Sequence, residues 1–434
     1  MAVTSLARSH AVDRRIESSW TDAALALATA GGLLALYVRT LAPDVLGGDA
    51  GELQFVPHIL SLAHPTGYPL QTLLGHVWAR LLPWGSVAWR MNLFSAVAGA
   101  AGGALLYGAA RGYGASHGAA LVPSALLGLS EAYWGQAILG DKYALTAALL
   151  AALLWALARW RITGTRGWLM ASATLYGLGL TQHRSLIAVG PPLFALWLLE
   201  ERDLLRQPRV VARLALSLVT PMLLYLWLPV GAARGLPPGT WHPHGLAEWA
   251  NYFLDRGYLG EIRPMEGVIG YLAEYGHWLV STFRMPGVVA GTLGIGWFVR
   301  RHPVDGTCLL SAYLLLAVLS ASYRVPRQWV FYLPSFVVFA LSVSFGLSAM
   351  REIASHRLSR RVTLAATALI LVLVAAPAGR GMVLRYREYR QTRVDGGVLD
   401  LWRQDLKEGY LARRLAENGL LAVEPGAVIA ADWE

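Results

Sequence analysis

Long apolar runs decide what this chain can become. Residues 23–41, 91–110, 118–138, 143–160, 167–182, 185–199, 211–230, 286–300, 306–322, 328–349 and 362–380 are dominated by Ala, Leu, Val, Gly and aromatic residues, and arginines and prolines punctuate their ends. A helix of roughly 17–25 apolar residues crosses a hydrocarbon core, and the backbone crosses lipid only with its polar groups satisfied internally. The runs predict an all-α polytopic membrane protein of about eleven transmembrane helices, the fifth and sixth of them short. Only 15% of residues are charged, against about 25% in soluble domains. The net charge of +10 is carried by arginine, since Lys142 and Lys407 are the only lysines. These cations are spread over connectors between apolar runs, which fits membrane topology better than nucleic-acid binding. Cys308, the one cysteine, lies within an apolar run; no intramolecular disulfide can form, and a cysteine metal site is disfavoured. The polar start, about 20 residues long, does not have the form of a cleavable signal.

Arginine placement orients the chain. Arg8, Arg14, Arg15, Arg111, Arg159, Arg161, Arg166, Arg202, Arg206, Arg209, Arg213, Arg300, Arg301, Arg351, Arg357, Arg360 and Arg361 fall in one set of short connectors. The opposite set is longer and poorer in cations, so the positive-inside rule places the N-terminus in the cytoplasm. The expected organisation is a cytoplasmic segment 1–22, a membrane domain 23–380 with external loops 42–90 and 231–285, and an exterior segment 381–434. In that last segment 427–431, "AVIAA", reads as a buried strand without a partner nearby. A lone strand leaves its backbone unsatisfied, so a truncated exterior domain, or a sheet completed by another chain, is expected.

The same orientation gathers the polar chemistry on the external face. In "GGDAGELQFVPHILSLAHPTGYPL" (47–70), Pro43 and Gly47-Gly48 stop the first helix. Asp49 then reads either as the N-cap of a new helix, with Glu52 completing something like a capping box, or as a boundary carboxylate whose basicity desolvation raises. His64 precedes a proline, Gly67 permits a turn, and Tyr68 follows, giving a rigid loop beside two carboxylates. Asp141, Lys142 and Tyr143 open the fourth run, where an acid against the helix dipole with an adjacent ion-pair partner is the plain alternative. Gln182, His183 and Arg184 interrupt an apolar stretch; ionisable residues at membrane depth usually face a cavity or partner. Arginine and histidine there suit a phosphate through charge-assisted hydrogen bonds, and a tight turn exposing both to water is the alternative. Arg234, Trp241, Trp249 and Tyr252 belong to the longest external loop, where aromatics either anchor the interface or stack on sugars. Arg324 and Arg327 stand outside against the charge bias, as lipid-headgroup contacts or snorkelling anchors. No helical ligand spacing for a metal is present.

The order "GDAGE", "AHPTGYPL", "RMNLFSAVAGA", "GQAILGDKYAL", "GLGLTQHRSL" and "LYLWLPVGAARGLPPGTWHP" resembles the polytopic protein O-mannosyltransferase family of the GT-C superfamily, glycosyltransferase family 117. The resemblance covers about residues 35–335, with the first-loop motif its most specific part. It implies a GT-C-like helical bundle with external interfacial helices, and a lipid-phosphate-linked sugar as donor. Asp49 matches the essential acid of the first external loop, with Glu52 and His64 beside it. Asp141 falls where the family usually reads Glu-Val-Tyr; Asp-Lys-Tyr stands here, and the departure bears on donor or acceptor. His183 matches the histidine of "GLGLTQH", while Arg184 is less usual.

The expected function is transfer of a sugar, mannose by resemblance, from a polyprenyl-phosphate donor to a hydroxyl on the external face. The acceptor is protein Ser/Thr or, alternatively, a glycan or lipid. Asp49, Glu52 and His64 are the candidate catalytic residues. His183, Arg184, Arg324, Arg327 and Tyr68 are assigned to the donor, and Asp141, Tyr143, Arg234 and Trp241 to the acceptor or to support. No cofactor is expected, with a divalent metal left open; the partners are the lipid-linked sugar, the acceptor and the bilayer, and not nucleic acid. A lipid or sugar transporter is the rival class, but it predicts paired inverted halves with broken helices at mid-membrane, and no internal repeat is visible.

Overall fold

A computed structural model describes residues 20–234, 241, 243–254, 265–323 and 328–357. The described elements are helices: α1 (Trp20–Arg39), α2 (Gly48–Ile59), α3 (Pro69–Leu81), α4 (Val87–Gly112), α5 (His117–Gly128), α6 (Glu131–Ala137), α7 (Tyr143–Thr163) and α8 (Arg166–Gln182). They continue as α9 (Gly190–Glu200), α10 (Pro208–Met222), α11 (Trp227–Ala232), α12 (Gly245–Leu254), α13 (Met265–Arg301), α14 (Pro303–Ser322) and α15 (Leu333–Arg357). The protein is an integral membrane protein, and its described residues form an all-α bundle. Among the described residues six helical stretches are long and apolar enough to cross a bilayer: α1, α4, α7, the continuous 208–232 stretch, α14 and the stretch 328–355.

Several predicted runs are broken in ways that hydropathy does not record. The run 118–138 is two helices, because Ser130 ends α5 and restarts the chain as the N-cap of α6, accepting from Tyr133 N at 3.2 Å. The run 185–199 begins as a 3-10 turn, Arg184–Val189, before α9. The run 286–300 is only the second half of α13, which starts at Met265 inside the predicted loop 231–285 and bends at Arg284 (φ 57°) ahead of Pro286. The run 362–380 and the segment 381–434, with its expected strand, lie outside the described residues.

Small residues set the packing. Within the bilayer, helices gain from close approach more than from hydrophobicity, which lipid already satisfies. A Cβ on Gly294 of α13 would overlap the Ser342 carbonyl of α15, and one on Gly346 would overlap Ala290 O, so the two backbones touch directly. The Ala- and Gly-rich face of α4 lies along α7 in the same manner, with Ala96, Ala100, Ala147 and Ala151 buried in one core.

The helix ends sort into two sets. The start of α1, the end of α4 and the start of α5 meet where Arg111 grips Asp22 (Nε–Oδ1 2.6 Å, Nη2–Oδ2 3.3 Å), with Tyr107 donating to the same carboxylate at 2.9 Å. The ends of α7 and α9 and the start of α14 meet where Arg161 forks onto Asp305 at 2.8 and 3.0 Å and bonds Glu200. The start of α7, at the opposite end of that helix, and the end of α8 hold a different kind of cluster.

Candidate active site

The loop after α1 is fixed before it reaches the site. Asn92 donates to Ala42 O at 2.8 Å, Gln54 donates to Asn92 Oδ1 at 2.7 Å, and Gln54 accepts from Leu46 N at 3.0 Å. The N-cap of α2 is Gly47, without a side-chain cap bond, and Gly48 enters at φ 61°. Asp49 therefore sits in the first turn rather than at the cap, which corrects the capping-box alternative. Glu52 is engaged elsewhere as well. It accepts the His64 backbone N–H at 2.7 Å through Oε1 and pairs with His64 Nδ1 through Oε2.

His64 thus has its ring fixed from both sides, because Tyr68 Oη lies 3.0 Å from Nε2. The loop that carries them is shaped by Gly67, whose φ is 84° and where a Cβ would lie 2.6 Å from Leu228 Cδ2 and 2.8 Å from Tyr252 Oη; only glycine fits both constraints. Tyr252 of α12 donates to Ala63 O at 2.5 Å, which ties the stretch predicted as the long loop to the residue before His64.

Asp49 and Lys142 form the centre. Lys142 Nζ lies 2.5 Å from Asp49 Oδ2 and 3.4 Å from Asp141 Oδ1, and His64 Nε2 is 4.0 Å from the same Asp49 oxygen. The ammonium also stands over the rings of Tyr68 (5.2 Å) and Tyr143 (4.9 Å), a favourable placement for a cation on aromatic faces. Exposure divides the pair: the Lys142 side chain is 2% exposed, that of Asp49 43%. Burial alone would lower the Lys142 pKa, but Asp141, Tyr143, Tyr68 and Asp49 outweigh it and hold the amine charged, well above its usual range. Burial pushes the Asp141 carboxyl up; Lys142 opposes the rise and Asp49 adds to it.

His183 is the C-cap of α8 and packs among Tyr68, Tyr143 and Phe331, with ring centroids 6.1, 5.3 and 5.8 Å away. Its Nδ1 accepts from Ser185 N at 3.3 Å and lies 2.8 Å from Ser185 Oγ, which assigns the proton to Nε2. Burial first, then the charges of Lys142 and His64, bring its pKa down to about 3. At neutral pH the ring is uncharged, so His183 offers a hydrogen bond only as a neutral donor; Arg184 beside it is partly buried.

The structure gathers Asp49, Glu52, His64, Tyr68, Asp141, Tyr143 and His183 into one cluster. Arg234 and Trp241 stand at its margin: the guanidinium is 5.7 Å from the Trp227 ring and Trp241 is 6.1 Å from Tyr252. Arg324 and Arg327 lie outside the described residues. Sequence reading paired Lys142 with Asp141 and missed its shorter bond to Asp49. It also missed Gln71, which accepts from Gln182 Nε2 at 3.0 Å while Gln182 also donates to Lys142 O at 3.1 Å. Polar residues facing inward from apolar helices were the available signal. Among the described residues no three His, Cys, Asp or Glu side chains converge as metal ligands would.

Residues 49–205 match the family described as the protein O-mannosyl-transferase TMEM260 N-terminal domain. The protein O-mannosyl-transferase TMEM260 of Mus musculus is 29% identical over 231 residues, 51% of this chain and 33% of the mouse protein. The protein O-mannosyl-transferase tmem260 of Dictyostelium discoideum is 30% identical over 211 residues, 44% of this chain and 26% of that protein. The matches thus span a third or less of these curated relatives. ArnT from Cupriavidus metallidurans in the apo state shares the fold over 92% of this chain and 77% of its own (TM-score 0.55, 15% identity). The same enzyme bound to undecaprenyl phosphate matches over the same shares (TM-score 0.50, 17% identity). Residues 49–205 are thus similar to the protein O-mannosyl-transferase TMEM260 N-terminal domain, and the bundle shares its fold with ArnT.

Proposed function

We propose that the protein is a membrane glycosyltransferase that moves a sugar, mannose by its relatives' names, from a polyprenyl-phosphate donor to an acceptor hydroxyl of protein Ser/Thr. The observation that carries this reading is the half-exposed Asp49 carboxylate set against a buried cation at one end of a membrane bundle. An acceptor hydroxyl, with a pKa far above 7, needs a positioned base to become a nucleophile. Asp49 takes that proton as the hydroxyl oxygen bonds to the sugar's anomeric carbon. The bond from that carbon to the donor phosphate breaks, and its electron pair leaves with the phosphate oxygen.

His64, held by Glu52 and Tyr68, keeps the second side of the Asp49 pocket rigid, so the base approaches in one geometry. His183 and Arg184 lie on the donor's side as neutral and charged hydrogen-bond donors to the departing phosphate. A lipid-linked donor also accounts for the site's position at the helix ends. The prenyl tail stays in the bilayer while the sugar reaches the polar cluster, which the positive-inside bias assigns to the external face, periplasmic or extracellular. The neighbour ArnT bound to undecaprenyl phosphate supports a donor of this class.

The test is transfer of labelled mannose from a polyprenyl-phosphate mannose to a Ser/Thr-containing peptide by the purified chain, read by mass spectrometry. A sugar found on a glycan or lipid, with none on the peptide, would move the acceptor to that class. No transfer from any lipid-phosphate sugar would end the glycosyltransferase reading.

A further inference from the structure

We propose that Lys142 is the cation that receives the donor phosphate, and that its bond to Asp49 is a latch which donor binding opens. The proposal rests on the glycosyltransferase reading and adds to it a residue, an order of events and a reason for the departure from Glu-Val-Tyr.

The chain uses arginine at nearly every basic position and places one of its two lysines, 1% exposed, at the centre of the candidate site. An arginine there would fork onto a carboxylate and stay. An ammonium is a compact point charge with three donors, able to exchange one oxygen partner for another. Its oxygen partners among the described residues are Asp49 and Asp141, and its remaining side faces Tyr68 and Tyr143. The two bonds are unequal. Asp141, buried and also accepting from Lys142 N at 2.6 Å, is the permanent counter-charge. Asp49, half-exposed, is bonded by Lys142 through the ammonium alone and not through the backbone, and is the exchangeable one.

The latch has a chemical consequence. A carboxylate paired with an ammonium at 2.5 Å is a poor base, because accepting a proton means giving up the ion pair. A donor phosphodiester carries one negative charge, and the polyprenyl phosphate it leaves behind approaches two. Lys142 therefore binds the departing group more strongly than the donor, which is the direction that favours transfer. As the ammonium moves to phosphate, Asp49 is freed next to the acceptor hydroxyl. The ammonium keeps its proton throughout; only its hydrogen-bond acceptor changes. Base strength is thus withheld until the donor is seated, which suppresses proton abstraction from stray hydroxyls.

The experiment is equilibrium binding of undecaprenyl phosphate to the full-length chain in nanodiscs, which needs no turnover. Lys142→Gln is expected to raise Kd tenfold or more, and Asp49→Asn to lower it about threefold, because the phosphate no longer competes with a carboxylate for the ammonium. An ion pair of purely structural importance would weaken binding in both variants or in neither, and either pattern overturns the latch. If Lys142→Gln fails to fold, the Asp49→Asn arm decides alone, through tighter binding for the proposal and unchanged or weaker binding against it. Wild-type protein that transfers sugar while Lys142→Gln binds undecaprenyl phosphate normally would remove Lys142 and leave the glycosyltransferase reading intact. Wild-type protein with no affinity for undecaprenyl phosphate would remove both.

Discussion

The two ends of the helix bundle both carry buried ion pairs, built to different rules. At the end where α7 and α9 finish and α14 begins, Arg161 forks onto Asp305 and bonds Glu200, and Arg111 does the same for Asp22 with Tyr107 as a further donor. Planar guanidinium geometry meets planar carboxylates, and Asp305 and Asp22 are each gripped through both oxygens. At the end where α7 begins and α8 finishes, a lysine bonds two acids unequally, a histidine bridges a carboxylate and a phenol, and one acid faces outward. The first arrangement ties helices together. The second leaves one carboxylate half-exposed, which on the proposed reading puts it within reach of a substrate.

If that contrast is right, removing charge at the two ends must do different things. The largest effect is expected from Asp49→Asn, which keeps the side chain's shape but cannot take a proton. Sugar transfer should fall by about 10²-fold or more, with membrane insertion and melting temperature close to wild type. Near-normal turnover would move the base to Glu52 or His64 and erase the distinction between the ends.

The converse is Arg161→Met. Leaving Asp305 and Glu200 without their cation should destabilise the protein by about 3 kcal/mol, read as a lower thermal midpoint in detergent. The protein that remains folded should transfer sugar within about threefold of wild type, since no part of this clamp touches the site. A selective loss of kcat with an unchanged midpoint would show that the clamp is coupled to catalysis.

A smaller effect is expected at the donor side. Neutralising Arg184 and replacing His183 together, as His183→Gln with Arg184→Met, should raise the apparent KM for a short-chain polyprenyl-phosphate sugar by about tenfold, with acceptor KM unchanged. An effect confined to the acceptor would shift the phosphate contacts to Arg324 and Arg327.

The smallest effect concerns pH. His183 is neutral in the folded protein down to about pH 3, while in the unfolded chain it titrates near 6.5. The unfolded state therefore binds a proton that the native state refuses, and stability is lost as pH falls below about 6.5 toward 3. His183→Gln should flatten part of the decline in thermal midpoint between pH 6.5 and 4.5. An unchanged slope would mean that the ring is solvated and charged after all.

Much of the fold could be read from hydropathy, because length and apolarity are local properties of a helix. The interruptions were not, since they depend on one hydroxyl at Ser130 or one bend at Arg284 within otherwise apolar runs. The polar residues of the site were visible as costly exceptions. Their pairing was hidden, because Asp49 and Lys142 are 93 positions apart and meet only through the packing of α2 against α4 and of α4 against α7. Asp49 looked like a cap because the spacing to Glu52 suits one, and only the turn at Gly48 and the position of His64 send both carboxylates elsewhere. The neutrality of His183 follows from burial among aromatic rings, a property with no counterpart in the sequence.

The contact between α13 and α15 limits how this protein can diverge. Gly294 and Gly346 each face a carbonyl of the opposite helix with no room for a methyl group. A single substitution at either position must push two backbones apart along much of their length, so neutral drift by one small step at a time is closed there. Lineages that change one side of this seam are expected to carry a matching change on the other, and covariation between these positions would mark the seam in a comparison of many descendants.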